Sequence, residues 1–257
     1  MPLGHALAIV AAGLAAGTVN TIVGSGSLIT FPTLLALGYD PVVANVSNTI
    51  GLVPGALSGA VGYRRELAGQ GPRVRSLGLA SAAGGLTGGL LLLALPGAVF
   101  KGVVPVLILI ACALVAAQPR LAARRAAAAA NTESDETTRP KHGGAGLHAA
   151  VFATGIYGGY FGAAQGVVLI GLLGIFLDDS LQRLNGLKNA LAGIVNGVAA
   201  VLFILVADVA WGPAALLAVA SAVGGQIGAN LGRRIPAKPL RIAIVVVGTA
   251  VAIRLLV

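Results

Sequence analysis

The chain has 257 residues, of which 57% are hydrophobic and only 10% charged. Soluble globular domains carry roughly 25% charged residues, so an ordinary soluble fold is excluded. The net charge of +9 lies between apolar runs and not in a domain of its own, which reads as membrane topology and not as nucleic-acid binding. Cys112 is the single cysteine, and His5, His142 and His148 are dispersed, so no disulfide framework, metal site or cofactor is expected.

In chain order, charge is absent from residues 6–38, 41–62, 77–100, 102–118, 147–177, 189–207, 209–232 and 242–253. About 20 apolar residues cross a hydrocarbon core of roughly 30 Å as a helix. The short alternating segments of a membrane β-barrel are absent. The expected fold is an all-α, polytopic transmembrane helical bundle. The N-terminus has neither a basic n-region nor a cleavage site, so its first run reads as mature protein.

The first run is the odd one. Its 33 uncharged residues would make one helix about 50 Å long, too long for a simple span, whereas two full crossings want about 40 residues. Gly24-Ser25-Gly26-Ser27 and Pro32 interrupt it. The run predicts a hairpin of two short or broken helices, re-entrant or barely spanning, that returns the chain to the side it entered. Three spanning helices follow. Asp40 precedes the second run and reads as a cap or turn residue, as do Asp178 and Asp179 later in the chain. Residues 119–146 hold Arg120, Arg124, Arg125, Glu133, Asp135, Glu136, Arg139 and Lys141. They read as a cytoplasmic linker between a first membrane unit, 1–118, and a second, 147–257.

The second unit repeats the first. Ala80-Ser81-Ala82-Ala83-Gly84-Gly85-Leu86-Thr87-Gly88 matches Ala220-Ser221-Ala222-Val223-Gly224-Gly225-Gln226-Ile227-Gly228, and Pro96 and Lys101 match Pro236 and Arg241. Gly17 and Gly24 match Gly155 and Gly162 at an offset of 138, and Asn48 matches Asn189 at 141. The 31 uncharged residues of 147–177, broken at Gly158-Gly159 and Gly162 to Gly166, predict a second hairpin. With both hairpins, 15 of the 17 Lys and Arg residues fall on one side, leaving Lys101 and Arg254 on the other. Single crossings would divide them 10 to 7. The positive-inside rule then gives two inverted repeats, each a broken hairpin plus three spanning helices, with both termini outside. Gly51, Gly55 and Gly59, and Gly224, Gly228 and Gly232, predict close helix contacts. Trp211 beside Asp208 suits an interfacial anchor.

A duplicated membrane unit is the usual construction of a secondary transporter, with its site where the copies meet. Thr18, Asn20, Thr21, Ser25, Ser27 and Thr30 lie midway along the first hairpin. A helix N-terminus at that depth offers amides and partial positive charge, which suits an anion. The alternative is a kink whose hydroxyls bond their own helix. In the second unit Gln165 is the one large polar side chain of its run, near Tyr157 and Tyr160. The next helices open with Asn45, Ser47, Asn48 and Thr49, and with Asn185, Lys188 and Asn189; Asn196 shares a face with Asn189. Lys188 reads either as counter-ion to an anionic substrate or as a lysine snorkelling from a helix end.

This ordered set resembles the sulfite exporter TauE/SafE family. Asn20, the Gly24 to Ser27 cluster, Pro32, Leu34, Gly38, Pro41, Ala44, Ser47-Asn48 and Tyr63-Arg64-Arg65 carry the likeness in the first unit. Gly155 to Gly162, Leu187-Lys188-Asn189 and Asn196 carry it in the second. The glycine clusters here are Gly-Ser-Gly-Ser and Gly-Ala-Ala-Gln-Gly, which departs from the usual pattern and weakens the case for sulfite itself. The resemblance implies a bacterial inner-membrane transporter of sulfur-containing anions, with the bilayer and a small anion as partners and a homo-oligomer left open. The candidate substrate-binding residues are Asn20, Ser25, Gly26, Ser27, Asn48, Gln165, Lys188, Asn189 and Asn196. The competing readings are a passive anion channel or scaffold subunit, and a membrane enzyme acting on a lipid-linked phosphate.

Overall fold

The computed structural model describes residues 1–130, 144–231, 242, 245–246 and 248–253. The described residues form α1 (Leu3–Ile22), α2 (Ser27–Ala36), α3 (Pro41–Gly62), α4 (Arg64–Leu67), α5 (Gly71–Ala94), α6 (Gly97–Ala130), α7 (Gly144–Tyr160), α8 (Gln165–Phe176), α9 (Leu181–Val206) and α10 (Trp211–Leu231). Helical backbone recurs within 242–253. Among the described residues α1, α5, α6 over Gly97–Ala117, α9 and α10 are long and apolar enough to cross a membrane. Glu133, Asp135, Glu136, Arg139 and Lys141 of the expected linker lie outside the described residues. So do Gly232, Arg233, Arg234, Pro236, Lys238, Arg241 and Arg254.

Each expected hairpin is a long helix, a break and a short return. Over the first run, 20 residues of α1 are followed by four unwound ones and the 10 of α2. In the second run 17 residues of α7 precede the 12 of α8. At 1.5 Å per residue the returns reach only about 15–18 Å, well short of a crossing. The breaks need a left-handed backbone that only glycine adopts freely: Gly24 has φ +88° and its repeat partner Gly162 has φ +75°.

Helix starts follow local chemistry. Asp40 caps α3, its carboxylate accepting the Val42 amide at 3.0 Å, with Pro41 at the first helical position. Asp178 and Asp179 lie in the connection just before α9, as expected of turn residues, but neither is its cap. Ser180 is the N-cap of α9, accepting from the Arg183 amide at 3.4 Å. Asp179 instead takes Arg73 at 2.6 Å and Arg183 at 2.9 Å. Two cationic partners, Arg73 from α5 and Arg183 from the first turn of α9 itself, hold Asp179 away from a cap position that serine fills equally well.

The bundle has two ends that contacts define. One carries the Asp40–Lys101 ion pair (2.8 Å) and the Ala210 amide bonded to Ser47 (2.9 Å). The other carries Arg73–Asp179, Ser76–His148 (2.6 Å) and Gln70 on the Arg183 carbonyl (3.0 Å). Early α1 packs on α10 at the first end, where Gly13 faces Leu217, whereas α7 begins beside Ser76 at the second.

Helices of the two units expected from the sequence, written below as the two copies, interleave. Gly17 of α1 lies on the Ser221 carbonyl of α10, and its counterpart Gly155 of α7 lies on the Ser81 carbonyl of α5. Gly224 faces the Leu14 carbonyl as Gly84 faces the Phe152 carbonyl; Gly228 meets Thr18 as Gly88 meets Ile156. Each first helix thus packs in the other copy, and exchanging the copies maps these contacts onto themselves. The Gly51-Gly55-Gly59 row does what its spacing predicted, seating Ala214 and Leu217, Ser221, and Thr21 in turn.

A Cβ at Gly55 would stand 2.8 Å from the Ser221 Cβ and 2.9 Å from its carbonyl, whereas one at Gly197 meets nothing within 4 Å. Gly55→Ala is expected to destabilise by about 1–3 kcal/mol through overpacking. Gly197→Ala is expected to be neutral or stabilising by up to about 1 kcal/mol. Thermal unfolding of the detergent-solubilised variants checks both.

Candidate functional site

Four helix ends meet inside the bundle, and their backbone groups need partners. At the end of α1 the Thr21 carbonyl accepts from Lys188 Nζ at 3.0 Å, Asn189 Nδ2 at 3.2 Å and Asn185 Nδ2 at 3.3 Å. The Asn20 carbonyl takes a further bond from Lys188 Nζ at 3.1 Å. Residues 185, 188 and 189 are three and four apart, so α9 presents them as one donor face. The snorkelling reading of Lys188 is corrected: its side chain is 1% exposed and turns into the protein, because α1's carbonyls offer a negative helix end there. The end of α7 is covered more simply, the Tyr160 carbonyl accepting from Asn45 Nδ2 at 2.9 Å. Tyr157 closes the second break with its hydroxyl on the Ala163 carbonyl.

The helix starts lie against each other. Gly166 N–H of α8 donates to the Gly24 carbonyl at 3.0 Å, joining the two breaks by a backbone bond. A Cβ on Gly24 would clash with the backbone of Gly166, so glycine is required here for close approach as well as for conformation. Asn20 Oδ1 accepts the Gly26 amide at 3.4 Å. Asn48 clamps the first turn of α2, donating to Ser27 Oγ at 3.3 Å and accepting from Thr30. Ser25 Oγ and Gln165 Nε2, one at each break, are buried without a hydrogen-bond partner. Beside them Phe31 and Phe161 pack edge to face at 5.2 Å, tying α2 to the second break.

The structure therefore gathers Asn20, Ser25, Gly26, Ser27, Asn48, Gln165, Lys188 and Asn189 around the two breaks. Asn196 is half-buried two turns further along α9, outside this network. Asn45 and Asn185 belong to the cluster but were left out of the sequence-based site. Their signal was positional: each stands one turn before Asn48 or Asn189 on the same helix.

The sequence profile of the family described as "Sulfite exporter TauE/SafE" matches residues 9–255. The chain belongs to the sulfite exporter TauE/SafE family. Among relatives of this TauE/SafE chain, the "Probable membrane transporter protein YfcA" of Escherichia coli (strain K12) is 26% identical over 249 residues, covering 94% of this chain and 86% of the relative. A "Probable membrane transporter protein" of Haemophilus influenzae is 26% identical over 219 residues, covering 85% and 82%. The "Probable membrane transporter protein ORF9" of a Sinorhizobium species is 27% identical over 260 residues, covering 98% and 93%. No solved structure matches the chain. The chain is thus a multi-pass membrane protein of a transporter family.

The charged groups at the bundle ends are held apart from the site. At Asp40 the Lys101 hydrogen bond holds the carboxyl below its ordinary value. Burial pushes Asp179 up, but the bonds from Arg73 and the Ser180 amide, with the charges of Arg183 and Arg73, outweigh it and leave the carboxyl low. A depressed folded value contributes stability that is full above the ordinary carboxyl value of 3.8 and lost as pH falls through the lower folded value. Unfolding midpoints are therefore expected to fall in that acidic window, and Asp179→Asn is expected to flatten the fall. A pH series on both proteins checks it.

Proposed function

We propose that this chain is a secondary transporter of a small anion, a sulfur oxyanion or organosulfonate, bound where the two breaks meet. The observation that carries the reading is the pair of unpartnered groups, Ser25 Oγ and Gln165 Nε2, at the starts of two helices joined through Gly24 and Gly166. Helix starts bring partial positive charge to that point. The negative ends of α1 and α7 are meanwhile covered by Lys188, Asn185, Asn189 and Asn45. Asn45 Oδ1 is an unpartnered acceptor as well, but the two donors with the two helix starts outweigh it and favour an anion. Ser25 and Gln165 would donate to it directly, and Asn20, Ser27 and Asn48 would hold Gly26 and the start of α2 in register. Lys188 would supply positive charge from behind α1, with Asn189 beside it and Asn196 along the route.

Movement would follow alternating access, the two copies rocking about their shared junction as inverted repeats in the bacterial inner membrane, with both termini outside. The 15-to-2 division of basic residues supports that orientation. So does the start of α1 and α7 at opposite ends of the bundle. The family description and the names of the relatives support transport without chemical conversion of the substrate.

Proteoliposomes loaded with labelled sulfite or a small sulfonate test the reading. Saturable flux is expected, with counterflow that a passive channel would not give. Ser25→Ala and Gln165→Leu are each expected to raise KM about 10- to 150-fold, since one hydrogen bond to a charged group is worth roughly 1.5–3 kcal/mol. Flux equal to that of protein-free vesicles across a panel of anions would overturn it.

A further inference from the structure

A helix that ends inside a protein presents bare carbonyl oxygens and about half a negative charge. Transporters built from broken helices use such ends to coordinate a coupling cation. Here the corresponding oxygens, those of Asn20 and Thr21, are occupied by Lys188 Nζ at 3.1 and 3.0 Å. Lys188 is fully buried and enters no ion pair among the described residues. An ammonium so placed is held by carbonyls in the way a desolvated metal cation is held. The carboxamides of Asn185 and Asn189 converge on the same Thr21 oxygen, and rotating either one would turn its own oxygen toward the site. The other copy differs: Ser47 stands at the offset of 141 from Lys188, and among the described residues it is Asn45 that covers the end of α7.

We propose that Lys188 is a tethered cation. Its ammonium fills a monovalent-cation site made by the C-terminal carbonyls of α1, and brings in covalent form the charge that a free Na⁺ would otherwise supply. Two consequences follow. Removing the side chain beyond Cβ opens a polar cavity that Na⁺, K⁺ or methylammonium can enter. Anion flux through the unaltered protein is independent of Na⁺, a consequence that rests on the transport reading above.

The first consequence is tested without any substrate, by thermal unfolding of purified wild type, Lys188→Ala and Lys188→Met in choline, Na⁺, K⁺ or methylammonium chloride. Lys188→Ala is expected to have a lowered midpoint in choline that at least one of the other three cations restores in large part and saturably. Wild type and Lys188→Met, whose sites are filled, are expected not to respond. Equal responses of the two variants would overturn the proposal, as would no response in either, or failure to recover folded Lys188→Ala in any of these salts. In wild-type proteoliposomes, equal anion flux in Na⁺ and choline is expected, and flux that requires Na⁺ would also overturn it. Absence of flux in every salt would count against the transport reading, and the unfolding comparison would then decide the cation site alone.

Discussion

A helix that stops in the middle of a membrane protein leaves carbonyls or amides that lipid cannot satisfy, and each needs a partner from the fold, a ligand or a water-lined cavity. This chain makes four such ends, those of α1, α2, α7 and α8, within two short breaks. Much of what is unusual in its sequence answers that constraint. Gly24 and Gly162 give the backbone its turn, and Gly166 lets the second break bond the first. Asn45, Asn185, Lys188 and Asn189 reach the carbonyls of α1 and α7 from the neighbouring helices. After these demands are met, Ser25 and Gln165 still have unused capacity. A ligand-binding junction needs that surplus.

The interleaving of the copies follows from the same economy of space. The carbonyls at each break take their donors from a helix of the other unit. Thr21 of α1 is bonded by α9, and Tyr160 of α7 by α3. The small-residue faces of α5 and α10 then clasp the first helix of the opposite copy at backbone distance. The two copies are consequently coupled through their first helices as well as through the junction. Motion of one against the other would shift both breaks together, as the proposed transport cycle requires.

Much of this was legible in the sequence, for identifiable reasons. Runs of 33 and 31 uncharged residues fit neither one crossing nor two, and glycines marked where each would break. The glycine rows gave the close contacts because small residues at helical spacing have few other uses in lipid. The interleaving was not legible. Matching Gly17 to Gly155 says that the positions correspond, not that each packs in the opposite copy. Lys188 was ambiguous because a lysine near a helix start has the same one-dimensional signature whether it reaches outward or inward. Only the position of α1's end decides it. Sequence left cap and turn open for the aspartates before α9 because Asp178-Asp179-Ser180 offers three competent residues, and the arginine that claims Asp179 lies 106 positions away.

The anion proposed above would rest between Ser25 and Gln165 at the junction of the two breaks. The most direct test is a structure with a bound selenium oxyanion, such as selenate, located by the anomalous scattering of selenium. One peak within hydrogen-bond reach of Ser25 Oγ and Gln165 Nε2, lost in the Ser25→Ala, Gln165→Leu double variant, is the expected result. A peak confined to the arginines at the bundle ends, or unchanged in the double variant, would contradict it.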